Sequence, residues 1–159
     1  MSTLENSLDE LTAEGKLYDR LEDGAVRCHA CAHRCFLRPG RRGVCQVRFN
    51  RGGTLRVPAG YVASLQVDPV EKKPFYHLLA GTNALTFGML GCNFHCGYCQ
   101  NWFTSQALRD PEADHVGCQV RRISPEEIVE LGRRQKARVV ASSYNEPLIT
   151  AEWSYEIFK

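Results

Sequence analysis

Seven of the eight cysteines in this 159-residue chain fall into two short runs, and those runs constrain the fold more than any other feature. Cys28, Cys31, Cys35 and Cys45 lie within eighteen residues, and Cys92, Cys96 and Cys99 follow as Cys-x3-Cys-x2-Cys. An exported chain would join such thiols as disulfides. Met1 to Asp9, however, is polar and acidic and has neither the basic nor the apolar region of a signal peptide. The expected compartment is therefore the cytoplasm, where clustered thiols bind metal or carry out redox chemistry. At 43% hydrophobic and 24% charged residues the chain reads as globular, and a net charge of +2 gives no argument for nucleic acid. No apolar run approaches the roughly 20 residues of a membrane helix, so no membrane partner is expected.

The character of the chain changes near Gly81. Residues 1–80 read as small β-ribbons around the first cysteine run, after a short helix marked by Leu4, Leu8 and Leu11 on one face. Asp23-Gly24 joins two extended segments, Lys16–Glu22 and Ala25–Cys28. Asn50 to Gly53 joins Val44–Phe49 to Thr54–Val57 as a second hairpin. Such a piece has little core, and a bound metal would replace part of the missing burial. In residues 81–159, Ala84–Leu90 reads as a buried strand and Gly91-Cys92 opens a loop. Ser124-Pro125-Glu126-Glu127 spells a helix start with a capping box, and Ile123 and Ile128 are set to staple it. Arg138–Ser142 follows as a strand and Ala151–Lys159 as a helix. Strand, helix, strand, helix is the order of a parallel α/β sheet. Two βα units are too few to cover a sheet, so the chain reads as the N-terminal part of something longer.

The second cysteine run supplies three thiolates where a closed zinc site or an electron-transfer cluster takes four. A cubane of four irons held by three cysteines keeps one iron open to a small molecule. Zinc completed by His95 or His115 is the alternative, although His95 adjoins Cys96 and is awkwardly placed to join it. The first run offers four thiols for zinc or for an auxiliary iron–sulfur cluster, and spacing does not separate the two. His29 and His33 beside it read as plain polar loop residues, and Cys118 as a plain side chain. Tyr98 reads equally as a packing aromatic, and Glu146, before Pro147, as a solvated or helix-start carboxylate. Arg38, Arg41, Arg42, Arg48 and Arg51, with Phe36 and Phe49, read as a solvated basic surface that could receive an acidic partner; nucleic acid is not expected there.

Cys-x3-Cys-x2-Cys with Tyr98 before the last cysteine, after the first strand of an α/β unit, resembles the radical S-adenosylmethionine enzymes. The wording Asp68-Pro69-Val70-Glu71-Lys72-Lys73-Pro74, Gly91-Cys92-Asn93-Phe94 and Cys99-Gln100-Asn101-Trp102 looks like the AmmeMemoRadiSam system radical SAM enzymes, relatives of the pyruvate formate-lyase activating enzymes. The resemblance runs from about residue 16 to the end. It implies a partial (β/α) barrel, begun here after the cysteine-rich β-ribbon region. It also implies that Cys92, Cys96 and Cys99 hold a [4Fe-4S] cluster whose fourth iron binds S-adenosylmethionine. Reductive cleavage would then yield a 5′-deoxyadenosyl radical for hydrogen abstraction. Tyr98 would lie near the adenine. Asn145 and Glu146 stand where many members carry Gly-Gly-Glu for the amino group, so Tyr144-Asn145-Glu146-Pro147 departs from the broader motif. The partners implied are an electron donor such as flavodoxin or ferredoxin, and a Memo-like protein or a protein substrate. The chain alone is expected to be inactive. The competing reading is a zinc-stabilised module that binds nucleic acid or protein; an electron carrier is disfavoured by the missing fourth ligand.

Overall fold

The computed structural model describes residues 3–110 and 119–159, so Cys118 and His115 lie outside the described residues. Helix α1, Thr3–Glu10, packs Leu8 into the main core and is followed by β1, Thr12–Glu14. The first hairpin forms as its Asp-Gly turn requires. β2, Tyr18–Arg20, pairs antiparallel with β3, Val26–Cys28, and Asp23 and Gly24 both take positive φ in the turn. β4, Phe36–Leu37, adds to the far side of β3. The second hairpin joins β5, Phe49–Arg51, to β6, Thr54–Pro58, which also pairs with β1. Its first strand starts at Phe49 rather than Val44, because the chain from Cys45 to Arg48 is drawn inward by burial. Val26, Cys28, Leu37, Leu55 and Val57 form the small core of this ribbon region.

β7, Tyr61–Val62, and β8, Ser64–Pro69, come next, and neither was expected. β8 runs antiparallel to β9, Asn83–Gly88, with Ser64 opposite Gly88 and Pro69 opposite Asn83. A short helix α2, Trp102–Ser105, follows the second cysteine run. β10, Arg121–Arg122, pairs with β7. Helix α3, Pro125–Arg134, leads into β11, Ala137–Ser142, and helix α4, Ala151–Phe158, ends the order. β11 lies parallel to β9, as the βα order requires, so the sheet reads β11-β9-β8 and is mixed rather than purely parallel. No closed barrel is present among the described residues. Pairings between β7 and β10 and between β8 and β9 cross the line drawn near Gly81 and bind the two halves of the sequence together.

The main core lies between this sheet and the helices. Leu85 and Phe87 of β9 meet Ile128 of α3 and Trp153 and Ile157 of α4, and the Phe87 and Trp153 rings stand edge to face at 5.6 Å. Each such side chain, fully buried, contributes on the order of 2 kcal/mol. Helix α3 starts as its sequence dictates. The Ser124 hydroxyl accepts from the Glu127 amide at 3.2 Å, and the Glu127 carboxylate accepts from the Ser124 amide at 2.7 Å. Ser124→Ala is expected to cost about 1 kcal/mol of stability. A urea midpoint that does not move would contradict that role for the cap. No described helix is long and apolar enough to cross a membrane.

Candidate metal centre

β9 delivers the chain into the second cysteine run through Met89 and Leu90, both fully buried. At Gly91 the backbone turns with φ +85° and passes so close to the first cysteine segment that a Cβ would stand 2.7 Å from the Cys45 carbonyl oxygen and from Val47. Only glycine fits both constraints. The loop that follows is graded in exposure: Cys92 is buried, Cys99 half-buried and Cys96 exposed. The Phe94 amide donates to the Cys92 sulfur at 3.5 Å, the Cys99 amide to the Cys96 carbonyl at 3.2 Å, and Cys99 Sγ lies 3.5 Å from Ser105 Oγ.

What fixes this loop is a set of side chains from outside it. Asn145, just after β11, donates Nδ2 to the carbonyls of Met89 (3.1 Å) and Gly91 (3.0 Å). Arg109 donates to the carbonyls of Cys92, Phe94 and Val44, and Gln106 Nε2 to that of Phe94 at 3.0 Å. His33 Nε2 donates to the Asn93 carbonyl at 3.1 Å. The carbonyls of Met89, Gly91, Cys92, Asn93 and Phe94 are thus each held by a side chain, an arrangement that leaves little freedom in the backbone that carries Cys92. Arg109 and Gln106 carry no motif that marks them in the sequence. His33 is more than the plain loop residue expected of it.

The resemblance-derived residues divide. Tyr98 is 89% exposed and packs into no core, so the packing reading fails and its ring is open to a ligand. Asn145 is a strut of the cysteine loop, and its Oδ1 is buried without a hydrogen-bond partner. Glu146 caps the 3-10 turn Pro147–Thr150 by accepting from the Leu148 amide at 3.1 Å, which is the helix-start reading. Tyr144 beside them holds φ +71°, a strained conformation for a tyrosine.

The first run folds around its own small cavity. Cys28, Cys31, Cys35 and Cys45 all line it, with Arg48 and Asn93. Burial pushes the Cys45 thiol up to about 11, against the opposing pull of the nearby Val47 and Arg48 backbone amides. Among the described residues, no three His, Cys, Asp or Glu side chains stand close enough together, as placed, to hold a metal ion. Thiolates of both runs are nevertheless of the donor type that binds metal, and the stretch from Phe94 to Tyr98 in the second is exposed.

The basic surface is smaller than expected. Arg48 is only 2% exposed; it donates to Glu152 Oε1 (2.6 Å) and Oε2 (2.7 Å) and to the Ile149 carbonyl. Burial works against the Arg48 cation, but Glu152 and the neighbouring Cys28 sulfur outweigh it and its pKa is raised. Arg42 is engaged by Glu5 and Asp9, both at 2.6 Å, and Phe49 is buried. Arg38, Arg41 and Arg51 remain exposed.

No protein-family model matches the chain. No solved structure matches it either. It is 39% identical over 144 residues to the uncharacterized protein MJ0808 of Methanocaldococcus jannaschii, an alignment covering 90% of this chain and 41% of that protein. It is 32% identical over 84 residues to the uncharacterized protein MJ0674 of the same organism, covering 52% of this chain and 20% of the relative. The chain therefore spans less than half the length of the curated relatives it matches.

Proposed function

We propose that this chain is the cluster-bearing part of a radical S-adenosylmethionine enzyme with the beginning of a (β/α) barrel, and that Cys92, Cys96 and Cys99 hold a [4Fe-4S] cluster. The observation that carries the reading is the loop itself: three thiols after a buried parallel strand, on a backbone whose carbonyls are held by Asn145, Arg109, Gln106 and His33. When bound, the cluster and S-adenosylmethionine supply one-electron cleavage of the sulfonium and a radical able to abstract hydrogen from a substrate, which can be a protein.

The chain's own residues bind and orient. Asn145 fixes the start of the loop, and the exposed Tyr98 ring offers a face for the adenine. Glu146 keeps Oε2 on the Leu148 amide, and its Oε1 would be the oxygen left to accept from the amino group. The electron donor is a small acidic protein of the flavodoxin or ferredoxin class, for which the exposed Arg38, Arg41 and Arg51 are the complementary charges. A Memo-like protein belongs among the partners of the whole enzyme.

Cys96 is exposed and makes no core contact, so Cys96→Ser is expected to leave the unfolding midpoint within about 0.5 kcal/mol of the parent. The same substitution is expected to remove most of the iron from anaerobically reconstituted protein. Full iron retention by the variant would sink the assignment of Cys96 as a ligand.

A further inference from the structure

The first cysteine run has a chemistry of its own that does not depend on the radical reading. Its four thiols line a cavity of about 10 Å³, room for one water-sized body. Ala30, Leu37, Val44 and Ile149 complete the wall, and Ala30, Leu37 and Ile149 are themselves buried. A cubane of four irons and four sulfides cannot enter without displacing them. A single ion can, once the thiols on the wall turn about χ1 to meet it.

A second observation points to an anionic centre in that cavity. Arg48 reaches its wall from the protein interior, and its Nε is buried with no hydrogen-bond partner. The other guanidinium nitrogens are taken by Glu152 and the Ile149 carbonyl, while the Cys28 sulfur is its neighbour on the cavity side. A buried donor left without an acceptor is destabilising. Four thiolates around one divalent ion form a dianion, and a thiolate at Cys28 would give Nε the acceptor it lacks.

We propose that Cys28, Cys31, Cys35 and Cys45 form a closed tetrahedral site for one zinc-class divalent ion, and that this ion braces the Cys92–Cys99 loop. Binding exchanges the four S–H protons for metal–sulfur bonds, with the protons released to solvent and no change of oxidation state. The brace is physical. Asn93 shares the cavity wall, His33 between two ligands holds the Asn93 carbonyl, Arg109 clasps the carbonyls of Val44 and Cys92, and Gly91 rests on Cys45. Ordering of the first run is passed to the second through these contacts.

The test uses the full chain with Cys92, Cys96 and Cys99 all replaced by alanine, so that only the first site can hold metal and the outcome is independent of the radical reading. About one zinc per folded chain is expected, and substitution by cobalt(II) should give the intense visible bands of tetrahedral thiolate coordination. Adding Cys31→Ser, at a half-exposed ligand, should surrender the ion to a chelator that the background variant withstands. In the chain with all its cysteines, chelation should also speed amide exchange across residues 89–99. A folded alanine variant that binds no divalent ion, or that carries iron with sulfide instead, overturns the proposal. So does zinc binding indifferent to Cys31, or a loop whose exchange ignores removal of the ion.

Discussion

Arg48→Met will destabilise the chain by about 3–5 kcal/mol, the range for removing one partner of a buried ion pair. The side chains of Arg48 and Glu152 are 3% and 9% exposed, and their oxygens and nitrogens meet at 2.6 Å. Without the guanidinium, Glu152 keeps only the Lys16 and Leu17 amides, at 3.2 and 3.4 Å, and must stay charged in a dry site or take up a proton. The pair joins the ribbon region to α4, so its loss is expected to separate the unfolding of the two parts. The pH dependence has a definite sign. Burial pushes the Glu152 carboxyl up, but the Arg48 hydrogen bond and charge outweigh it and the folded pKa is lowered. The pair's contribution is therefore complete above the unfolded carboxyl value of about 4.3 and is lost as pH falls through the folded one. Urea unfolding of parent and variant at pH 7 and at progressively lower pH checks both points. A gap between them that is small at pH 7, or that widens on acidification, would contradict this account.

The second large effect is expected at Gly91. Gly91→Ala places a residue with a Cβ at φ +85°, which costs about 1–2 kcal/mol. It also forces that carbon against the Cys45 carbonyl and Val47 at 2.7 Å, an overpacking worth a further 1–3 kcal/mol or so. Because the atoms it meets belong to the first cysteine segment, relief of the clash pushes the two runs apart, and metal loading of both should fall. Gly97 is the internal control. An alanine there would meet nothing within 4 Å, and the backbone is not left-handed. The thermal midpoint should drop sharply for Gly91→Ala and hardly at all for Gly97→Ala; equal responses would show that the close approach at Gly91 is unimportant.

Local signals carried much of the fold into the sequence. The cap of α3 is legible because Ser124, Pro125 and Glu127 act within four residues of one another. The Asp23-Gly24 turn is legible because positive φ selects those residue types. β8 also leaves a signal, since Leu65 and Val67 alternate with Ser64, Gln66 and Asp68 as in a half-buried strand. The burial of Arg48 is hidden from the sequence for a deeper reason. In a run of arginines it looks solvated, and its partner Glu152 is 104 positions away, so no window of sequence contains the pair. The spacing of the cysteines is what marks both runs as candidate metal centres. Their supports, Arg109, Gln106 and His33, act on backbone carbonyls and so leave no pattern to read.

The central claim is that Cys92, Cys96 and Cys99 hold a cluster with one open iron. Iron, sulfide and zinc contents of anaerobically reconstituted chain, with electron paramagnetic resonance of the reduced sample before and after S-adenosylmethionine, test it most directly. The account predicts about four irons at the second run, lost in Cys96→Ser, and a reduced-cluster signal that shifts when the ligand is added. A folded chain that takes up zinc at both runs and no iron, or a cluster signal indifferent to S-adenosylmethionine, would contradict it.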